Sequence, residues 1–415
     1  MEQLTHVIIG AGAAGMAAAS AIRETSPNVR IILLSEEADR PYFRPMIPFI
    51  ISGRKSPSQI NLEGEGAYPE AGLDIRLDTR AQGVDTERKT VTTAAGEKIA
   101  YDRLLIASGS SPYLPPDTEG LGLEGVYPLR TLAQARHAAA RAARAKNAVL
   151  LGGGLLNLKA AFALLERGIG ATLVVRSPEI LSQLMEPADA LLIRQALKRA
   201  GLSIMTGRSA VKIVGDDRGV KGVMLDNRTA IPCDMVFIGK GVRPNTGFLA
   251  GSALAGEGGV AVDGFTRTGI CNVFAAGDAA VTFDPSTGGS VVTGLWTNAV
   301  EMGRCAGRNM AGLRSAYTGT FGVMNATQVA GMPFVSMGTV HGSERYETHT
   351  ASTPDSYRKL VFSHDGERLI GLVMIGRIER AGLYRYLIRE KRDIRQFKAK
   401  MIRGQLHAGD LSCGT

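Results

Sequence analysis

What this chain has little of narrows its chemistry first. Its 415 residues include four cysteines, Cys233, Cys271, Cys305 and Cys413. They stand far apart and form no CxxC pair. That excludes a disulfide framework and the ligand spacing of a zinc or iron–sulfur centre, so no metal site is expected and any cluster belongs to a partner. Such cysteine use fits a reducing, cytoplasmic setting. No apolar run reaches the ~18 to 20 residues of a membrane span. The start, Met1 to Thr5, leads straight into a strand with no basic n-region, so no signal peptide is expected. Aromatic residues make up 6% of the chain and give no stacking platform, which argues against a nucleic-acid module.

What is present is ordinary in bulk and uneven in detail. A content of 45% hydrophobic and 21% charged residues suits a soluble globular protein, and the length allows two or three domains. The 51 glycines fall in motifs and turns, with no linker-like period. The net charge of +9 is concentrated late: Arg377 to Arg403 holds ten Lys/Arg against three acids, or +7. That favours a local acidic partner over a generally basic protein.

Two glycine-rich turns carry the chemistry. The first follows the apolar strand Val7 to Ile9 and opens an Ala-rich helix, Ala13 to Glu24, which returns to a second strand, Ile31 to Leu34. This is a βαβ unit, so a parallel sheet with a right-handed crossover is expected. Gly10 permits the tight turn, Gly12 lets backbone approach a pyrophosphate, and Gly15 lets helix and strand pack closely. The helix N-terminus offers N–H groups and positive dipole to phosphates. Glu36, 21 residues after Gly15, is placed to accept ribose hydroxyls, with Glu37 as its backup.

The second turn, Gly152-Gly153-Gly154-Leu155-Leu156-Asn157, opens another βαβ unit from Ala148 to Arg176. Here the third glycine has become Asn157, and the next strand ends on Arg176 without a carboxylate for a 2′-hydroxyl. NADH and NADPH both stay open, as does a turn that binds neither. An amphipathic helix is expected at Ala188 to Ala200 and a β-meander at Ser209 to Ile238. Arg40 to Gly72 reads as irregular, and Thr90 to Ile106 contains a hairpin turn at Ala95 to Glu97. After Tyr317 the pattern changes to short strands, Phe334 to Val340, Lys359 to Ser363 and Leu369 to Ile375, with a helix from Glu379 to Lys391.

Two further strand ends matter: Tyr101 to Ile106 running into Ala107-Ser108-Gly109, and Val273 to Ala276 running into Gly277-Asp278. Small residues there let backbone lie against a cofactor, and a carboxylate can bind polyol hydroxyls. In this order the motifs make the chain resemble the two-dinucleotide flavoproteins, the pyridine nucleotide oxidoreductase family, over residues 1–315. Pro41-Tyr42-Phe43-Arg44-Pro45 is similar to a segment of the rubredoxin reductase, nitrite reductase and apoptosis-inducing-factor branch. The Leu295 to Gly303 and Val175 to Pro178 stretches resemble FAD subunits of multi-subunit oxidoreductases, such as phenylglyoxylate dehydrogenase and tungsten aldehyde oxidoreductases.

The resemblance implies an α/β fold: two Rossmann-like domains, for FAD and NAD(P), plus a C-terminal α+β domain. Their expected bounds are 1–113 with 240–316 for FAD, 114–239 for NAD(P), 317–400 for the C-terminal domain and 401–415 for a tail. It implies that Gly10, Gly12, Ala14, Gly15, Glu36 and Glu37 hold the ADP half of FAD, that Ala81 passes the adenine, and that Ala107, Ser108 and Gly109 line the dinucleotide. Arg44 would neutralise an FAD phosphate, Arg130 would join the same site, and Gly277 with Asp278 would hold ribityl oxygens. Leu295, Trp296 and Thr297 would meet the flavin pyrimidine at the start of a helix, Asn298 to Met310, whose dipole stabilises negative charge. For NAD(P), the counterparts are Gly152, Gly154, Leu155, Lys159, Arg176 and Gly241. Lys159 would lie near the nicotinamide, where the family usually has Glu; Lys159 and Arg176 also read as plain solvated charges.

Disulfide reductases of this family need cysteines beside the flavin, and Arg44 to Gly53 has none. No catalytic acid–base residue is nominated, because the flavin takes hydride from nicotinamide and can release electrons singly. The resemblance therefore implies an NAD(P)H:acceptor oxidoreductase working as the flavoprotein subunit of an iron–sulfur electron-transfer complex. A ferredoxin-like subunit would dock near 377–403. A stand-alone rubredoxin or ferredoxin reductase is the alternative, and a flavin-bearing subunit with a decayed nicotinamide site is a third.

Overall fold

The structure, a computed structural model, describes residues 3–62, 72–256, 258–283, 289–319, 322 and 324–412. Cys413 lies outside the described residues, as does the rest of 413–415.

The first parallel sheet contains β1 (Thr5–Ile9), β2 (Arg30–Leu34), β3 (Leu73–Arg76), β7 (Arg103–Ile106) and β19 (Val273–Ala275), in the order β19-β7-β1-β2-β3. β1 and β2 are continuous apolar runs because both faces are covered. Helix α1 (Ala13–Thr25) crosses between them. A three-stranded antiparallel sheet, β4 (Ala81–Asp85), β5 (Thr90–Thr93) and β6 (Lys98–Ala100), is inserted before β7. The hairpin at Ala95 to Glu97 is therefore present, but Arg103–Ile106 leaves it for the parallel sheet. β3 is missed by the sequence reading, and short helical turns, including α2 (Ile47–Ile51), occupy part of the stretch read as irregular.

The chain crosses through β8 (Ser110–Pro112) into a second parallel sheet. Its strands are β9 (Val126–Tyr127), β10 (Asn147–Leu151), β11 (Gly170–Val175), β12 (Ser203–Thr206) and β16 (Met235–Ile238), ordered β12-β11-β10-β16-β9. Helices α3 (Leu132–Ala142), α4 (Leu155–Leu165) and α5 (Leu191–Arg199) belong to this unit. α5 is shorter than the helix expected at Ala188 to Ala200. The meander is β13 (Ala210–Asp216), β14 (Gly219–Leu225) and β15 (Ala230–Pro232); β16 is no part of it, since its fully buried MVFI lies parallel to β10. β17 (Val242–Pro244) pairs antiparallel with β8 on the way back.

After β18 (Val260–Ala261), β20 (Ala280–Phe283) and β21 (Ser290–Val291), helix α6 (Trp296–Met310) lies against α1. α6 starts two residues before the expected Asn298. Its packing needs glycine: a Cβ on Gly303 would lie 2.2 Å from the Ala14 carbonyl oxygen, and one on Gly307 2.4 Å from that of Ala18. Arg103 closes the other end, donating to the terminal carbonyls of Asn309 and Met310.

The third sheet is antiparallel: β22 (Met324–Val329), β23 (Met332–Gly338), β24 (Glu347–Ser352), β25 (Tyr357–Phe362) and β26 (Leu369–Ile375), ordered β22-β23-β26-β25-β24. The edge strands β22 and β24 are polar, β22 half-buried and β24 largely exposed, which hid them from the sequence reading. Phe334, Tyr357, Val373 and Ile375 pack one face against the second unit at Ile180, Leu181 and Met185. Val335, Leu360, Phe362, Leu372 and Met374 pack the opposite face against α7 (Ala381–Arg389), α8 (Lys398–Arg403) and the chain toward α9 (Ala408–Ser412). No described helix is long and apolar enough to cross a membrane.

Candidate functional site

A cleft of about 1120 Å³ opens at the C-terminal end of the first sheet. Gly10 takes φ +112°, and a side chain there would meet the Ala107 carbonyl oxygen at 2.1 Å, so the turn passes directly over the end of β7. A Cβ on Gly15 would lie 1.9 Å from the Gly10 carbonyl oxygen, so this glycine is buried beneath the turn. α1 begins at Gly12 with no side-chain cap and no acid in its first turn, and a Cβ on Gly12 would touch nothing within 4 Å. Free N–H groups and the positive helix end therefore face open space.

All the residues expected around FAD line this cleft except Gly15 and Thr297. Gly15 lies under the turn, and Thr297 borders a separate groove on α6. Glu36 stands exposed at the end of β2, 3.9 Å from Arg80. Glu37 is no backup for it. Its carboxylate accepts from the Tyr42 hydroxyl at 2.7 Å and from Arg44 Nη2 at 2.7 Å. Arg44 is thus neutralised within the chain, and it also donates to the Arg130 carbonyl at 2.5 Å. Burial opposes the Arg44 charge, but Tyr42, Glu37 and Asp278 outweigh it and raise its pKa. The Tyr42 hydroxyl is pushed well above its ordinary range, chiefly by burial.

Arg130 carries the network across the cleft. Its Nη2 donates to Asp278 and to Ser110 Oγ, both at 2.9 Å, and Ser110 Oγ donates to Asp278 at 2.7 Å. Below the loop, Asn245 ties the return crossing down: Ser108 Oγ donates to its carbonyl at 2.7 Å and its Nδ2 donates to the Ser108 carbonyl at 3.0 Å. Trp296 and Phe43 meet edge to face at 4.7 Å on the cleft's border. Sequence reasoning missed Tyr42, Ser110 and Asn245 as site residues. Tyr42 lay inside a motif already singled out, whereas Ser110 had no local signal.

The second turn repeats the geometry of the first. Gly152 takes φ +113°, with the Gly239 carbonyl oxygen 2.2 Å from where a Cβ would be, and α4 starts at Gly154 uncapped and without an acid. Asn157 is no defect in this turn. Its buried amide Nδ2 donates to the carbonyls of Leu151 and Gly152, both at 2.9 Å. Gly239 supplies the room, since a Cβ there would lie 2.6 Å from Asn157 Cγ. Of this turn, Leu156 reaches the large cleft, while Leu155 does not. Gly152, Gly154, Lys159, Arg176 and Gly241 also stand outside that cleft's lining. Burial lowers the pKa of Lys159. Arg176 is exposed, and its charge adds to burial in lowering the pKa of Lys240.

Among the described residues no cysteine lines the cleft. Burial pushes the Cys233 thiol up to about 12 and the Cys305 thiol up to about 11. Cys271 is exposed.

A family model described as pyridine nucleotide-disulphide oxidoreductase matches residues 4–303. The chain belongs to this family. Its members bind FAD and NAD(H), so this chain is a nicotinamide-dependent flavin oxidoreductase. The chain is 29% identical over 413 residues to the NADH-dependent phenylglyoxylate dehydrogenase subunit epsilon of Aromatoleum evansii, covering 99% of this chain and 97% of the relative. It is 31% identical to a rubredoxin-NAD(+) reductase of Pseudomonas putida, over 66% of this chain and 71% of that one. Among solved structures, an NAD-dependent persulfide reductase from A. fulgidus superposes with TM-score 0.88 at 25% identity, covering 95% of this chain and 78% of the other.

The cleft fits the family's flavin dinucleotide on physical grounds. Its volume of about 1120 Å³ slightly exceeds the usual small-molecule range, as a dinucleotide requires. The uncapped start of α1 offers donors for phosphate, and Asp278 offers an acceptor for hydroxyls.

Proposed function

We propose that this chain is the NAD(P)H-facing FAD subunit of an electron-transfer complex with an iron–sulfur partner. Full-length likeness to a dehydrogenase subunit carries the reading, and a cleft lined by no cysteine among the described residues supports it. Residues 1–113 and 240–316 would form the FAD unit, 114–239 the nicotinamide unit, and 317–400 an interface unit.

In this reading, Gly10, Gly12 and the first turn of α1 hold the pyrophosphate, and Glu36 accepts the adenine ribose hydroxyls. Ala14, Ala81, Ala107, Ser108 and Gly109 give close backbone approach. Arg130 and Ser110 orient the Asp278 carboxylate toward the ribityl chain beside Gly277. Leu295, Trp296 and Thr297 present the positive end of α6 to the ring. Bound FAD supplies the redox chemistry, accepting a hydride from nicotinamide and passing electrons on singly. Gly152, Gly154 and Leu155 bind the nicotinamide dinucleotide, Arg176 lies by its ribose, and Lys159 and Gly241 lie toward the flavin. Cysteine use points to a reducing, cytoplasmic compartment.

Purification of the tagged chain from its native host tests the subunit claim. The expected result is a stoichiometric complex containing FAD, non-haem iron and acid-labile sulfide. A free, iron-less flavoprotein would refute it and favour the second reading, a stand-alone rubredoxin-type reductase, which the 31% identity to such an enzyme supports.

A further inference from the structure

The expected docking segment is poor in free charge. Arg377 pairs with Asp355, Arg389 with Glu390, Arg395 with Asp393 and Glu367, Lys398 with Glu347, and Lys400 with Asp410. Arg380 donates to the Gly404 carbonyl at 2.8 Å. The segment also packs on the third sheet's face opposite the one that meets the nicotinamide unit.

A second groove, of about 340 Å³, runs along the outer side of α6. It starts at Thr297, next to Trp296 of the large cleft, and continues past Arg304 and Arg308. These two arginines lie one turn apart, are exposed, and have no ion-pair partner among the described residues. Glu301 lines the same groove, but its Oε1 accepts from Thr318 at 2.9 Å. Beyond the helix, Arg314 lies over the Phe265 ring at 5.3 Å, and Leu313 is 50% exposed. Arg304 and Arg308 stand about 12 to 18 Å along the helix axis from Trp296, at 1.5 Å per residue.

Resting on the electron-transfer reading above, the geometry points to the outer side of α6 as the docking surface for an acidic iron–sulfur protein. Two forked guanidinium groups suit carboxylates, and the same helix begins at the flavin cleft. A carrier seated there has its binding contacts on the element that borders the redox cofactor. The cations of 377–403 have less to offer, because half of them already pair with an acidic neighbour.

Calorimetric titration of the FAD-loaded full chain with plant-type [2Fe–2S] ferredoxin, an acidic protein, tests this. Binding is expected, weakening steeply with added salt. Arg304→Glu/Arg308→Glu should weaken it at least about tenfold, and Arg304→Gln/Arg308→Gln should weaken it by less, both with unchanged flavin spectrum and unchanged bleaching by NADH. Arg389→Glu/Lys391→Glu should stay within about twofold of the parent. No ferredoxin binding by the parent, or loss only in the 389/391 variant, overturns the surface. Failure of both NADH and NADPH to bleach the parent refutes the underlying functional reading instead, whatever the titration gives.

Discussion

One substitution, made in two helices, should have opposite signs. A Cβ at Gly303 would lie 2.2 Å from the Ala14 carbonyl oxygen and 2.8 Å from the Ala14 Cα. Both are backbone atoms, so no rotamer change relieves the clash. Normal contact requires α1 and α6 to separate by on the order of 1 Å, and overpacking of this kind costs about 1–3 kcal/mol. The first turns of both helices line the cleft, through Ala13 and Ala14 on one side and Trp296 on the other. If ~1.4 kcal/mol of the strain appears as displacement there, FAD affinity falls about tenfold. Gly382 in α7 has nothing within 4 Å of its Cβ position, so Gly382→Ala should gain up to about 1 kcal/mol from helix propensity. Thermal melts followed by circular dichroism give the stabilities. FAD titration followed by quenching of Trp296, the chain's single tryptophan, gives the affinity. A Gly303→Ala protein with parental melting temperature and FAD affinity would refute the packing argument.

Further expectations concern the buried polar groups. His6 is 1% exposed, and burial, aided by Arg103, lowers its pKa to about 4. The unfolded chain therefore takes up a proton near pH 6.5 that the folded chain refuses. Stability should be complete above that pH and fall by about 3 kcal/mol on acidification toward pH 4, and His6→Leu should flatten that part of a pH series of melts. Lys359, 1% exposed, bonds to Glu186 and lies 3.3 Å from Asp189, whose other oxygen accepts from Tyr357. Lys359→Met should cost about 3–5 kcal/mol by leaving Asp189 buried without its cation, and adding Asp189→Asn should restore part of the loss in the same melts. Gly239→Ala should displace the Asn157 amide and cost about 1–3 kcal/mol, with Gly239→Ala/Asn157→Gly less damaging than the two single changes summed.

The first turn was legible because its requirements are local. Gly10, Gly12 and Gly15 meet steric demands set within a few residues, and β1, α1 and β2 follow from apolar runs and an alanine-rich helix. Asn157 was misread as damage because its compensating partner, Gly239, lies on another strand. The basic segment was misweighted for a similar reason, since Glu347, Asp355 and Glu367 come from a different part of the third sheet. The Glu37–Tyr42–Arg44–Arg130–Asp278 network also had no sequence signature, because closing it requires the two nucleotide units to meet. The polar strands β22 and β24 escaped notice because exposed edges carry little apolar pattern.

The central claim is that one chain holds both dinucleotides in working contact. Anaerobic titration of the FAD-loaded protein with NADH, and separately with NADPH, tests it most directly. At least one should bleach the flavin absorbance with one equivalent per flavin. A flavin that stays fully oxidised with both would contradict the account.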